Sequence, residues 1–183
     1  MIILTTNEIK TKNMKTTNLL RFGAIALVFA LSFQSCKKDE DKNQEFIADD
    51  NTFKDFRTWT LKASNNGPDP ALGPAHAGND STVTRDIYFD NNVSASGGQY
   101  PVGALIVKES KNPDMSVQEL TAMAKRGNDF NTAAGDWEWF ILNSDGSIAV
   151  DNNGDQIRGA SLFNGMCVNC HNQAATSDFV FTQ

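Results

Sequence analysis

An α+β fold built on a mainly antiparallel β-sheet with a few helices is the class this sequence predicts, on three observations. Gly103 to Val107 is a nearly continuous apolar run of strand length that leads directly into Lys108 and Glu109. Trp137 to Leu142 is a second strand, and Ser144, Asp145 and Gly146 form a turn that brings Ser147 to Val150 back as its hairpin partner. Helix signals are few and short, and no internal repeat is visible.

The N-terminal third carries the leader. Lys15 and Arg21 precede an apolar run from Phe22 to Leu31, long enough for a signal-peptide core and too short to span a bilayer comfortably, so residues 1–35 are expected to direct export. Translation from Met14 would give an ordinary leader start with Lys15 next to it. Ser35 and Cys36 close the leader, and the polar run Lys37 to Lys42 follows. This arrangement resembles a bacterial lipoprotein leader, which implies that Cys36 is lipidated, becomes the mature N-terminus and anchors the chain to the outer membrane, facing the periplasm or the exterior. Residues 36–52 then read as lipidated Cys and flexible tether, and 53–183 as the folded domain.

Within that domain, Phe53, Phe56, Trp59 and Thr60 recur at helical spacing and predict a short amphipathic helix ending before the Asn65-Asn66-Gly67-Pro68 breaker. Residues 65–80 form a long loop. Ile87 to Phe89 is a short strand bounded by Asp90, Asn91 and Asn92. Alternation along the next strand puts Ala104, Ile106 and Lys108 on one face. Ser116 and Glu119 fit a capping box ahead of Leu120, Met123 and Ala124, with Gly127 as a stop, so local reasoning gives a helix over 117–126.

Cys167-Val168-Asn169-Cys170-His171 carries the chemistry. Two thiols three positions apart fall on one face of a helical turn, where they can add to the vinyl groups of a haem while His171 reaches its iron. Half a zinc site has the same spacing, but closed zinc sites take four Cys or His ligands, and only Cys36 and His76 remain. A thioredoxin-like redox pair opens a helix inside a βαβ pattern, and none is visible. The chain therefore reads as a c-type cytochrome with one covalent haem c. From Cys36 onward it has 12 basic against 21 acidic residues, a net −9, so nucleic acid is an unsuitable partner. Two of the three cysteines go to haem and the third sits where an acyl anchor would be.

Several stretches, taken in order, resemble the cytochrome P-460 family and its relative cytochrome c′-beta. They are Tyr100 to Gly103 leading to Ile106 to Glu109, then Ala124 to Gly127, Gly135 to Phe140, Cys167 to His171, and the ending Asp178 to Thr182. The resemblance runs from about Phe53 to the C-terminus. It implies an antiparallel sheet with helices and haem bound near the C-terminus, often in a homodimer, and it makes Leu120 to Lys125 a strand, which tertiary pairing can impose over a local cap. It also implies that Lys108, on its own an exposed lysine ending a strand, borders the haem and is joined covalently to the macrocycle. Arg85 matches a distal-side arginine that can hydrogen-bond a bound ligand, although alone it reads equally as a surface salt bridge. Thr121 stands where hydroxylamine-oxidising members carry a carboxylate, and threonine is no general base near neutral pH, leaving Glu109, Glu119 or Glu138 as substitutes.

The expected function is therefore an exported mono-haem cytochrome that binds, and oxidises, small nitrogen species such as hydroxylamine or nitric oxide at an open distal site, passing electrons to another cytochrome. Gas binding without turnover is the alternative. A plain electron carrier would need a sixth ligand from Met115, Met123, Met166 or His76.

Overall fold

Six strands pair in sequence order, each neighbour to the next, giving a single antiparallel sheet in the order β1-β2-β3-β4-β5-β6 in the computed structural model, which describes residues 44–90 and 93–181. The strands are β1 Thr60–Asn66, β2 Thr84–Phe89, β3 Leu105–Lys111, β4 Val117–Lys125, β5 Trp137–Ile141 and β6 Arg158–Gly159. One helix, α1 Leu162–His171, follows the sheet. The predicted α+β class with a mainly antiparallel sheet is what forms.

The two strands read from apolar runs both form, although β3 starts at Leu105, because Gly103 with a φ of 87° lies in the preceding turn. The hairpin after β5 closes through an Asn143 N–H to Ser147 carbonyl bond of 2.9 Å and a Leu142–Ile148 bridge. Residues 117–125 are a strand, not a helix. Ser116, read locally as a helix cap, instead bonds the Asp114 carboxylate through both its N–H (3.0 Å) and its hydroxyl (2.5 Å) in the β3–β4 turn. Seven of the nine residues then pair with β3 on one side and five with β5 on the other, and that two-sided ladder outweighs a single cap. The helix expected over 53–60 is also replaced: a 3-10 turn at Phe56–Thr58 leads straight into β1, which runs through Asn65 and Asn66 because Asn65 pairs with Arg85 and Asn66 with Thr84. Strand β2 starts three residues before the expected Ile87, over Thr84, Arg85 and Asp86, whose polar side chains hide the pairing from an apolar-run reading. The folded body also begins before Phe53. Phe46 donates its N–H to the Arg126 carbonyl and Ala48 is a buried core residue, so the last residues assigned to the tether are part of the domain.

Strand alternation divides the core in two. One face buries Tyr88, Leu105, Val107, Leu120, Ala122 and Phe140 beneath Phe53 and Phe56, whose rings contact Phe140 and Tyr88 at 5.1 and 5.4 Å between centroids. The other face buries Ile87, Phe89, Ile106, Met123, Trp137 and Trp139, and there α1 covers β5 while the 3-10 turn at Ala75–Ala77 covers β3 and β4. A cavity lies against this second face.

Candidate haem site

The last turn and a half of α1 forms one wall of the cavity. Phe163, Asn164 and Gly165 take left-handed φ values of 52°, 57° and 83°, so regular helix begins only after Gly165 and presents Cys167, Cys170 and His171 together to the cavity. Both cysteines are free thiols, and burial pushes Cys167 above the ordinary thiol range.

His171 is oriented by the chain's own ending. Its Nδ1 lies 2.6 Å from the Phe179 carbonyl, which can only accept, so Nδ1 carries the proton and Nε2 keeps its lone pair. Fixing one ring nitrogen on a carbonyl leaves the other as a metal donor. Burial, and to a smaller extent the Lys108 charge, hold the imidazole below its ordinary pKa against that hydrogen bond, so it stays neutral. Rings of Trp139 and Phe181 meet His171 edge-on at 6.0 and 5.3 Å.

The Phe179 carbonyl is itself held in place. Asp178 and Phe179 have left-handed φ values of 53° and 64°, unusual for residues with a Cβ. Lys125 Nζ grips both Asp178 carboxylate oxygens at 2.7 and 2.8 Å, the Tyr100 N–H bonds the same carboxylate at 2.8 Å, and the Trp137 indole donates to the Asp178 carbonyl at 2.7 Å. Gly135 must be glycine there, since a Cβ would lie 2.7 Å from Asp178 Oδ1 at a φ of 58°. Sequence reasoning singled out Lys125, Gly135 and Asp178 as motif residues but gave Lys125 no role, because its partner Asp178 lies 53 residues further along the chain.

Across the cavity stand the groups of the opposite wall. Lys108 on β3 sits directly opposite Thr121 on β4, and both line the cavity with Glu119, two residues along the same face. Burial, reinforced by the Arg85 charge, lowers Lys108 to about 8, and no carboxylate among the described residues reaches ion-pair distance of it. A lysine so poised is partly a neutral, nucleophilic amine near neutral pH. His76, carried in by the long loop, places Nδ1 3.3 Å from Thr121 Oγ1 and 3.5 Å from Glu119 Oε1. Burial pushes Glu119 above its ordinary value, with the backbone N–H groups of His76 and Ala77 opposing the shift.

Other candidates lie elsewhere. Arg85 is not among the cavity-lining residues: it is 2% exposed, and its guanidinium donates to the carbonyls of Ala77 and Gly67, so it braces the His76 loop where a contact to a bound ligand was expected. Glu109 follows Lys108 on a strand and so faces the opposite core, bound by Arg57, while Glu138 is bound by Arg158 and Arg126. Of the three carboxylates weighed for the distal side, Glu119 is the one that lines the cavity. Met123 and Met166 border it, whereas Met115 is exposed in the β3–β4 turn. Cys36 and the leader lie outside the described residues.

The donor set fits a haem. Two free thiols and an imidazole with a spare nitrogen occupy one helical turn, apolar walls come from Ile87, Ile106, Trp139 and Val180, and the buried Trp139 indole N–H has no partner among the described residues. Sheet, C-terminal attachment turn and oriented histidine together define a haem-binding cytochrome. A family model for cytochrome P460 matches residues 53–182, nearly the whole folded domain, and the chain belongs to that family. A search of curated proteins found no match.

Proposed function

We propose that this chain is an exported mono-haem c-type cytochrome that binds, and oxidises, small nitrogen species of the hydroxylamine and nitric oxide class. Thioether bonds from Cys167 and Cys170 would hold the macrocycle, His171 Nε2 would ligate iron, and Lys108 would add a third covalent bond. The observation that carries the reading is the His171 Nδ1–H bond to the Phe179 carbonyl, which leaves Nε2 of the attachment-motif histidine free in the cavity that Lys108 also lines. When bound, the haem would supply the one-electron redox chemistry and an open position for the ligand. The chain's own residues orient the proximal imidazole, exclude bulk water with Ile87, Ile106 and Trp139, and offer polar groups from His76, Glu119 and Thr121 to a bound ligand. Electrons would leave to a separate cytochrome. A lipid on Cys36 would keep the protein at the outer membrane, where several acyl chains at about 0.8 kcal/mol per buried methylene make attachment stable.

Protein made with the c-type maturation machinery tests the reading. Haem should resist acid-acetone extraction, and the ferrous absorption should be strongly red-shifted and return to an ordinary c-type spectrum in Lys108→Ala. Haem that extracts freely refutes the covalent attachment; an ordinary native spectrum refutes the Lys108 bond alone. Mass spectrometry of the mature N-terminus decides Cys36.

A further inference from the structure

His76 is the cavity residue with the most unusual support. It and Ala77 both adopt φ of 53°, a left-handed conformation disfavoured for residues with a Cβ, and such residues persist where surrounding structure overdetermines them. Here Ser110 Oγ donates to the His76 carbonyl at 3.1 Å, and Arg85 binds the Ala77 carbonyl. The result is an imidazole whose Nδ1 sits between Thr121 Oγ1 and Glu119 Oε1, while Nε2 takes no hydrogen bond from the described residues. The tautomer with the proton on Nδ1, facing the carboxylate, leaves the lone pair on Nε2.

We propose that His76 and Glu119 form a distal proton relay, in which His76 Nε2 takes a proton from a small protic ligand bound in the cavity while the Nδ1 proton passes to Glu119. This rests on the haem reading above. The ligand's N–H or O–H bond breaks with its electron pair left on the ligand, an N–H bond forms at Nε2, the Nδ1–H bond breaks, and an O–H bond forms on Glu119. One negative charge moves from the carboxylate to the ligand, and the imidazole ends neutral in its other tautomer. Neutrality throughout is what the surroundings require. Burial, with the charges of Lys108, His171 and Arg85, lowers His76 to about 3, so a lasting imidazolium is disfavoured. Glu119 is the better terminus, because burial raises its proton affinity and its side chain retains 32% exposure through which the proton can leave. Thr121 positions the ring and transfers nothing.

Cyanide is the probe, since hydrogen cyanide arrives protonated and binds ferric haem as the anion. In ferric holoprotein at pH 7, His76→Ala, His76→Gln and Glu119→Gln should each slow cyanide association about 10²-fold or more. The His76→Ala/Glu119→Gln double variant should be no slower than His76→Ala alone, as expected of residues acting as one unit. Nitric oxide, which brings no proton, should bind the ferrous forms at native rates. Native cyanide rates in either His76 variant overturn the relay, and so does a native low-spin ferric spectrum that His76→Ala makes high-spin, since His76 would then be an iron ligand. A native rate in Glu119→Gln removes Glu119 as the acceptor and overturns it equally. Failure of the haem reading is separate: it shows as extractable haem in the native protein, before any variant is made.

Discussion

The core beneath Phe53 and Phe56 and the cavity on the other face of the sheet treat buried charge in opposite ways. Beneath Phe53 and Phe56, each acid has a base: Glu109 with Arg57, Asp86 with Lys111 at 2.6 Å, and Glu138 with Arg158 and Arg126. Burial alone would raise Asp86 and lower Lys111, but their mutual hydrogen bond and attraction outweigh it, so Asp86 is held low and Lys111 high and both stay charged. On the other face Lys125 is likewise paired, with Asp178, but Lys108 at the cavity itself has no such partner, and burial drives it towards the neutral amine. Strand neighbours Lys108 and Glu109 thus have opposite fates. Charge that is paired serves stability, whereas charge left unpaired around an apolar cavity marks where chemistry is done.

Breaking the paired face should have the largest effect. Glu138→Ala leaves the part-buried Arg158 guanidinium without its carboxylate, while Arg126 keeps Glu45, and is expected to cost about 3–5 kcal/mol in urea denaturation, with the haem spectrum of the surviving folded protein unchanged. A spectral change would mean that the two faces are not independent.

Lys108→Met should have the opposite sign in protein expressed without haem, with a gain of about 1–3 kcal/mol at pH 7. The folded lysine titrates near 8 against 10.5 for the ordinary side chain, so between those values the unfolded chain holds more protons and native stability rises with pH. The advantage of the variant is therefore full below pH 8 and fades as pH approaches 10.5. A pH-independent gain would point to packing instead.

Smallest is Thr121→Val, which removes a single 3.3 Å contact to His76 and should cost about 1 kcal/mol or less in the same denaturation assay. A much larger loss would make the threonine part of the loop's anchorage.

What was legible from residues alone was whatever local pattern or covalent spacing determines. Leu105–Val107 and Trp137–Ile141 are strands because their apolar runs have nowhere else to go, and Cys167, Cys170 and His171 share a face because helix geometry puts them there. Alternation on β3 correctly put Ile106 and Lys108 together on what became the cavity side. Tertiary structure decided the rest. Val117–Lys125 became a strand because two neighbours supplied its hydrogen bonds, and β1 formed only because β2 was there to receive it. Which of Glu109, Glu119 and Glu138 meets the cavity followed from register and from which face the helix and loop cover. Arg85 became a brace for the loop because the carbonyls of Gly67 and Ala77 come to its guanidinium in space. His76, 95 residues before His171 in the chain, lines the same cavity because a loop with two left-handed residues is held there by β2, β3 and β4. Such a contact has no sequence period, so only the folded chain can reveal it.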